Sequence, residues 1–96
     1  MENVQLTTAN IEYAYKSEEW LGFGYLQGRQ IALEEGKAGL VADADKAALE
    51  AANDADMTGA EFFYWLNSKN GRWYAGCQFG ANGRHAERYL PGEDQK

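Results

Sequence analysis

The alternation of apolar and polar side chains is most informative over residues 58–79, which hold seven of the chain's thirteen aromatic residues. Aromatic side chains bury a large apolar area, so this stretch should supply the centre of the core. Thr58 and Glu61 have the spacing of a capping box, which marks the start of a helix. Apolar residues then recur at intervals of three and four, and we predict a helix over residues 59–69. The predicted core residues are Phe62, Trp65, Leu66 and Trp73.

The segment after this helix shows an alternation typical of a β-strand. Asn70-Gly71 is a turn dipeptide, and apolar side chains then occupy every second position over residues 73–79. A second turn cluster at residues 80–83 precedes residues 84–90, which we predict to return as the partner strand. The alternative for these last residues is a helix capped by Asn82. A C-terminal β-hairpin is the favoured interpretation.

Two interpretations compete over residues 8–35. Ser17 is followed by two glutamates, as at a helix N-terminus, and Gly36 is a typical residue just beyond a helix C-terminus. We therefore favour a helix over residues 17–35, with residues 8–16 as a preceding helical turn or a strand. Three glycines weaken the helix, because each costs about 1 kcal/mol relative to alanine. Strands are the competing interpretation.

In the helical interpretation, Gly24 and Gly28 lie four residues apart on one face. Such a bare face allows another part of the chain to approach closely. The expected neighbours are the aromatic residues of the 59–69 helix. A second copy of the chain is the alternative neighbour.

The remaining segments complete the predicted fold. Asp43 is the expected cap of an alanine-rich helix over residues 44–53. Residues 1–7 are an arm or a brief edge strand, and residues 92–96 are expected to be a disordered tail. A chain of 96 residues has room for one domain. We predict a single α+β domain in which two to three helices pack with a C-terminal β-hairpin, and an all-α bundle is the alternative.

Charge is distributed unevenly along the chain. The formal net charge is −6. Residues 1–64 carry twelve acids against four bases, and residues 65–96 carry three acids against five bases. A protein that binds nucleic acid directly needs a basic face, so this balance argues against that class. It suits an acidic surface that contacts a basic partner, although a merely solvated surface is the ordinary alternative.

Two sets of residues are candidates for a binding site. An acidic surface would attract lysines and arginines of a partner, and tyrosine is a frequent anchor in interfaces. The predicted partner-binding residues are Asp43, Asp45, Glu50, Asp54, Asp56 and Tyr74. The alternative is a site for an anionic molecule such as a nucleotide, in which the aromatic cluster would act with Arg72, Arg84 and Arg88.

The sequence carries no catalytic or metal-binding signature. A structural zinc site needs about four ligands, whereas Cys77 and His85 are the only residues of their types. Asp54 and Asp56 resemble the start of a calcium loop, but Trp65 stands where that loop needs a glutamate. We expect no enzyme activity, no cofactor and no metal.

The cellular compartment of the protein can be predicted from three features that the sequence lacks. A single cysteine excludes an internal disulfide. The first ten residues have neither the basic run nor the apolar run of a signal peptide. No stretch approaches the roughly 18 apolar residues of a membrane span. We therefore expect a cytoplasmic protein without a membrane partner.

A very small, acidic, tyrosine-rich chain without a catalytic set resembles the small inhibitor proteins encoded by phages and mobile elements, such as anti-CRISPR and other anti-defence proteins. The resemblance concerns the character of the whole chain and no motif. It implies stoichiometric binding to a larger host or defence protein with a basic surface, such as a nucleic-acid site. The other two hypotheses are a small-ligand binder and a structural subunit of a homo-oligomer.

Overall fold

The computed structural model describes residues 5–20, 24–80 and 89–92. The regular structure of these residues is entirely helical, without a strand. The helices are α1 (Thr8–Lys16), α2 (Tyr25–Glu34), α3 (Ala38–Asp54), α4 (Gly59–Leu66) and α5 (Lys69–Phe79). The predicted α+β fold with a C-terminal β-hairpin is therefore wrong, and the alternative of an all-helical fold describes this part of the chain.

The main error concerns α5, which occupies the predicted first strand. The Ser68 hydroxyl caps this helix by accepting the N–H of Gly71 at 3.1 Å, so the predicted turn dipeptide lies inside the first helical turn. Tyr74 and Ala75 are buried, whereas Trp73 is 49% exposed and is not the core residue that we predicted. An alternation of only seven residues cannot separate the two periods, because positions four apart share a face in both a strand and a helix.

The described end of the chain, residues 89–92, is fastened to the helices without forming a strand. The Trp65 Nε1–H donates to the carbonyl of Tyr89 at 3.0 Å, and the Tyr89 ring stacks on Trp73 at 6.2 Å between ring centroids. Pro91 is fully buried. The rest of the predicted second strand, residues 84–88, lies outside the described residues, as do residues 93–96 of the predicted tail.

Helix α4 begins as the sequence predicts. The Thr58 hydroxyl accepts the N–H of Glu61 at 3.1 Å, and the Glu61 carboxylate accepts the N–H of Thr58 at 2.9 Å. The predicted stripe of Phe62, Trp65 and Leu66 is buried. The capping box and this part of the predicted core are confirmed.

The predicted helix over residues 17–35 is divided by a break. Residues 8–16 form a complete helix, α1, which is capped by Thr7. Helix α2 starts only after Gly24, whose φ of +85° favours glycine. A Cβ atom at this position would also collide with the carbonyl oxygen of Leu66. Of the predicted helix, residues 25–34 are helical and residues 17–20 are not, whereas residues 21–23 lie outside the described ranges.

The two turns on either side of α3 are Schellman motifs. After α2, Gly36 has a φ of +81° and the Lys37 N–H bonds the Ala32 carbonyl at 2.9 Å. After α3, the left-handed position is taken by Asp56, with a φ of 55°. Gly36 thus ends a helix as predicted. Asp43 is not a cap, because α3 already begins at Ala38.

The N-terminal residues are tied to α3 by one side-chain amide. The Leu6 N–H donates to Asn53 Oδ1 at 2.8 Å, and Asn53 Nδ2 donates to the Leu6 carbonyl at 3.0 Å. The Leu6 side chain is buried. Of the predicted arm or edge strand, residues 1–4 lie outside the described ranges, and the rest is held by this amide rather than by a sheet.

The closest helix contact joins α2 to α5. A Cβ atom at Gly28 would lie 2.7 Å from the Cβ of Ala75, a distance that real side chains do not adopt. The predicted close approach is confirmed at Gly28, but its neighbour there is α5 rather than an aromatic residue of α4. Gly24 precedes α2, so the two glycines do not form one helical face as predicted. Beside this contact, the centroid of the Tyr25 ring lies 5.7 Å from that of Tyr74 and 5.9 Å from that of Phe79.

Among the described helices, none is both long and apolar enough to cross a membrane.

Two glycines inside helices should respond oppositely to alanine. Gly28→Ala places a methyl group against Ala75, and such overpacking typically costs about 1–3 kcal/mol. Gly76→Ala meets no atom within 4 Å and should gain up to about 1 kcal/mol from helix propensity. The measurement is the free energy of unfolding in urea for both variants and the wild type. Equal effects of the two substitutions would contradict the close α2–α5 contact.

Candidate functional site

Three of the predicted acidic residues form a narrow stripe on α3. Asp43, Glu50 and Asp54 are exposed, and their spacing of seven and four residues places them on one side of the helix. A rise of 1.5 Å per residue separates the first from the second by about 10 Å and from the third by about 16 Å. Asp56 is also exposed and follows in the turn after α3. We call these four residues the acidic stripe.

The structure places the fifth predicted acid, Asp45, inside the protein. Its exposed fraction is 4%. The Tyr25 hydroxyl donates to Asp45 Oδ1 at 2.6 Å, and Arg29 Nε donates to Oδ2 at 3.1 Å. Arg29 Nη2 lies 3.0 Å from Oδ2 and completes the ion pair. Asp45 is therefore a structural residue that a partner cannot reach in the folded chain.

Tyr74, the predicted aromatic contact, is also buried. Its exposed fraction is 1%, and its hydroxyl donates to the carbonyl of Ala44 at 3.3 Å. Burial raises the pKa of Tyr74 to about 12, and the carboxylate of Asp45 acts in the same direction. Burial also raises the pKa of Tyr25, with Asp45 again adding to the effect. Neither hydroxyl is available at the surface.

The polar group around Asp45 is nearly closed to solvent. The Arg29 side chain is only 13% exposed, and its guanidinium lies 5.8 Å from the centroid of the Tyr15 ring. A buried ion pair is tolerated when its hydrogen-bonding groups are satisfied. Among the described residues, no buried side-chain nitrogen or oxygen lacks a partner. This group therefore holds the fold rather than offering a binding site.

Tyr64 on α4 is an exposed aromatic residue that the sequence did not place in the predicted site. Its exposed fraction is 76%. The signal was present, because Tyr64 lies off the apolar stripe of α4 and so had to face outward. Tyr64 borders an open groove of about 680 Å³ between the turn after α3, helix α4 and the start of α5. We call it the α4 groove; its walls include Met57, Ala60, Glu61, Tyr64, Ser68 and Lys69.

Of the three arginines that we predicted to bind an anion, the structure describes only Arg72. Arg72 is exposed on α5 beside a smaller groove of about 280 Å³ between α2 and α5. Lys37, the other base of that groove, already donates to the Phe79 carbonyl at 3.0 Å and pairs with Glu35 at 3.2 Å. Arg84 and Arg88 lie outside the described residues.

The residues of the partial calcium loop have other structural uses. Asp56 occupies the left-handed position of the turn after α3, and the Thr58 hydroxyl caps α4. Within residues 5–20, 24–80 and 89–92, no group of three acidic, histidine or cysteine side chains could hold a metal ion. Cys77 is buried, and His85 lies outside the described part of the chain.

Removing the Asp45 carboxylate should destabilise the fold strongly. Asp45→Ala leaves the Arg29 charge and the Tyr25 hydroxyl buried without their partner, and breaking a buried pair in this way costs about 3–5 kcal/mol. Asp43→Ala, on the exposed side of the same helix, is the matched control and should change stability by less than about 0.5 kcal/mol. Urea denaturation measures both. Similar costs for the two substitutions would show that Asp45 is not a structural residue.

Stability should fall in alkali because Tyr74 keeps its proton in the folded state. The folded pKa is about 12. An unfolded tyrosine ionises near pH 10, so only the unfolded chain loses this proton between about pH 10 and 12. The contribution is complete below pH 10 and is lost as pH rises through that window. Tyr74→Phe should make the fall in unfolding free energy shallower by about 1.4 kcal/mol per pH unit. Urea unfolding at pH values from 9 to 12 tests this, and an unchanged slope would contradict it.

Comparison of the chain with protein-family models, with curated proteins and with solved structures finds no match. The acidic stripe and the α4 groove are the two surfaces that can support a proposal about function.

Proposed function

We propose that this protein binds a larger protein through its acidic stripe and inhibits or modulates that protein by stoichiometric contact. The observation that carries the proposal is the alignment of Asp43, Glu50 and Asp54 on the exposed side of α3. Their carboxylates form no ion pair with a base of the described residues. They are therefore available to a partner.

The partner is a protein with a basic surface. Complementary charge accelerates encounter and selects the partner, although exposed pairs add little stability individually. A stripe of carboxylates at intervals of roughly 6 to 10 Å can pair with lysines and arginines that otherwise hold phosphates. Occupation of such a nucleic-acid site is one means of inhibition. This mode of action is the one that the resemblance to anti-defence inhibitors implies. The proposal includes the cytoplasmic location that the sequence predicts.

Binding without catalysis fits the distribution of polar groups. The most buried carboxylate, Asp45, is consumed by Tyr25 and Arg29 inside the fold. The exposed carboxylates lie on a helix face rather than in an enclosed pocket. A face of this kind suits contact with another macromolecule.

Reversing the stripe should abolish binding while preserving the fold. The test variant is Asp43→Lys with Glu50→Lys and Asp54→Lys; all three positions are exposed, so each change should alter stability by less than about 0.5 kcal/mol. Binding is measured with the purified partner, which is first identified by co-purification with the wild-type protein from host cells. We expect severe loss of affinity for the variant. Wild-type affinity should fall as salt rises, because salt screens exposed charges.

A second triple variant controls for net charge. The substitutions Glu12→Lys, Glu19→Lys and Glu34→Lys make the same change of charge at exposed positions outside the stripe. This variant should lose less affinity than the stripe variant. Equal affinities of the two variants for the same partner would overturn the proposal.

A further inference from the structure

We propose that the α4 groove binds an arginine-bearing extended segment of the partner, with Tyr64 and Glu61 as the residues that recognise the arginine. This inference rests on the proposed function and names the chemistry of the partner. It is carried by the groove, by the exposure of Tyr64 and by the charge of the groove wall.

The aromatic wall of the groove is open. Tyr64 is 76% exposed, so one face of its ring is available to a ligand. Met57 and Ala60 add apolar surface along the same groove. A planar cation over an aromatic face is stabilised by the ring's charge distribution, and the ring supplies contact area at a small entropic cost. The groove therefore favours a side chain that is both planar and cationic.

The acidic wall is held in position by the helix cap. Glu61 accepts the Thr58 N–H through Oε1 at 2.9 Å, which fixes the carboxylate at the start of α4. Glu61 and Tyr64 are three residues apart on α4, so their Cβ atoms lie about 5–6 Å from each other. One guanidinium can stack on the ring while it donates to the carboxylate. A lysine ammonium lacks the planar fork and makes the two contacts less well.

A base in the groove lining favours a peptide backbone over an isolated cation. Lys69 is exposed there, and its ammonium would repel a ligand that carried only positive charge. An extended segment presents backbone carbonyls to which this ammonium can donate. The occupant that suits Tyr64, Glu61 and Lys69 together is therefore an arginine within an extended chain.

The probe is a short capped peptide with a central Ala-Arg-Leu sequence. It is compared with peptides that carry lysine or norleucine in place of arginine. Binding to the full chain is followed by two-dimensional amide NMR. We expect shifts at Ala60, Tyr64 and Lys69, with affinity at least about threefold higher for arginine than for lysine and no measurable binding of the norleucine peptide. Equal affinity for the three peptides, or shifts confined to other surfaces, would overturn the inference.

Two substitutions on the groove wall test the recognition residues. Tyr64→Ser removes the ring, and Glu61→Gln removes the charge while glutamine retains the capping box. Each should weaken binding of the arginine peptide at least about fivefold. The matched controls are Tyr13→Ser and Glu12→Gln on α1, because Tyr13 is 71% exposed and Glu12 is also exposed. Equal losses in the controls would overturn the inference.

The purified partner separates this inference from the proposed function. Loss of partner binding in the stripe variant, with Tyr64→Ser and Glu61→Gln binding as well as the wild type, would overturn the groove and leave the stripe supported. Losses in both sets would support both. If the wild type binds the arginine peptide and the stripe variant binds the partner as well as the wild type does, the groove alone would be supported.

Discussion

The buried carboxylate of Asp45 determines how the central helices meet. It lies on α3, and its partners Tyr25 and Arg29 both come from α2. Removing a charge from water is costly, and the cost is offset only while these partners stay within hydrogen-bond distance. A shift of α2 along α3 would break the contacts together. Helix α5 is tied to the same part of α3, because the Tyr74 hydroxyl donates to the carbonyl of Ala44 at 3.3 Å.

Close backbone contacts then build the groove. A Cβ atom at Gly71 would collide with the carbonyl oxygen of Trp65, which shows how tightly α5 turns back on α4. This corner is closed further by Ser68, whose hydroxyl donates to the Trp65 carbonyl at 2.7 Å and accepts the Gly71 N–H at 3.1 Å. The tight corner brings Lys69 into the lining of the same groove as Tyr64. The groove is therefore a consequence of how α4 joins α5.

The sequence predicts the structure correctly where a local signal has one meaning. The capping box of Thr58 and Glu61 predicts the start of α4 correctly, because both hydrogen bonds are made within one turn; the helix ends at Leu66, earlier than the predicted residue 69. The strand prediction is wrong for α5, because Ser68 caps a helix there and Trp73 is half exposed rather than part of the core. An isolated alternation does not reveal which face the rest of the fold will cover.

Among the acids, sequence composition could not separate buried from exposed positions, but helical phase could have done so. Asp45 lies four residues after Val41 and four before Leu49, on the buried face of α3. The start of that helix was predicted too late, at a cap on Asp43, and the phase of its apolar face was therefore not considered. The burial of Tyr74 depends on packing between distant helices, which no local pattern specifies.

The buried and exposed acids of α3 are connected through the rigidity of one helix. The contacts of Asp45 fix the rotation of α3 about its axis, and that rotation directs Asp43, Glu50 and Asp54 outward. A binding surface that is already ordered loses less conformational entropy when a partner binds. In the proposed function, the internal ion pair would contribute to recognition indirectly, by holding the acidic stripe in place. A domain this small can present an ordered charged surface because its buried ion pair and its exposed carboxylates share one helix.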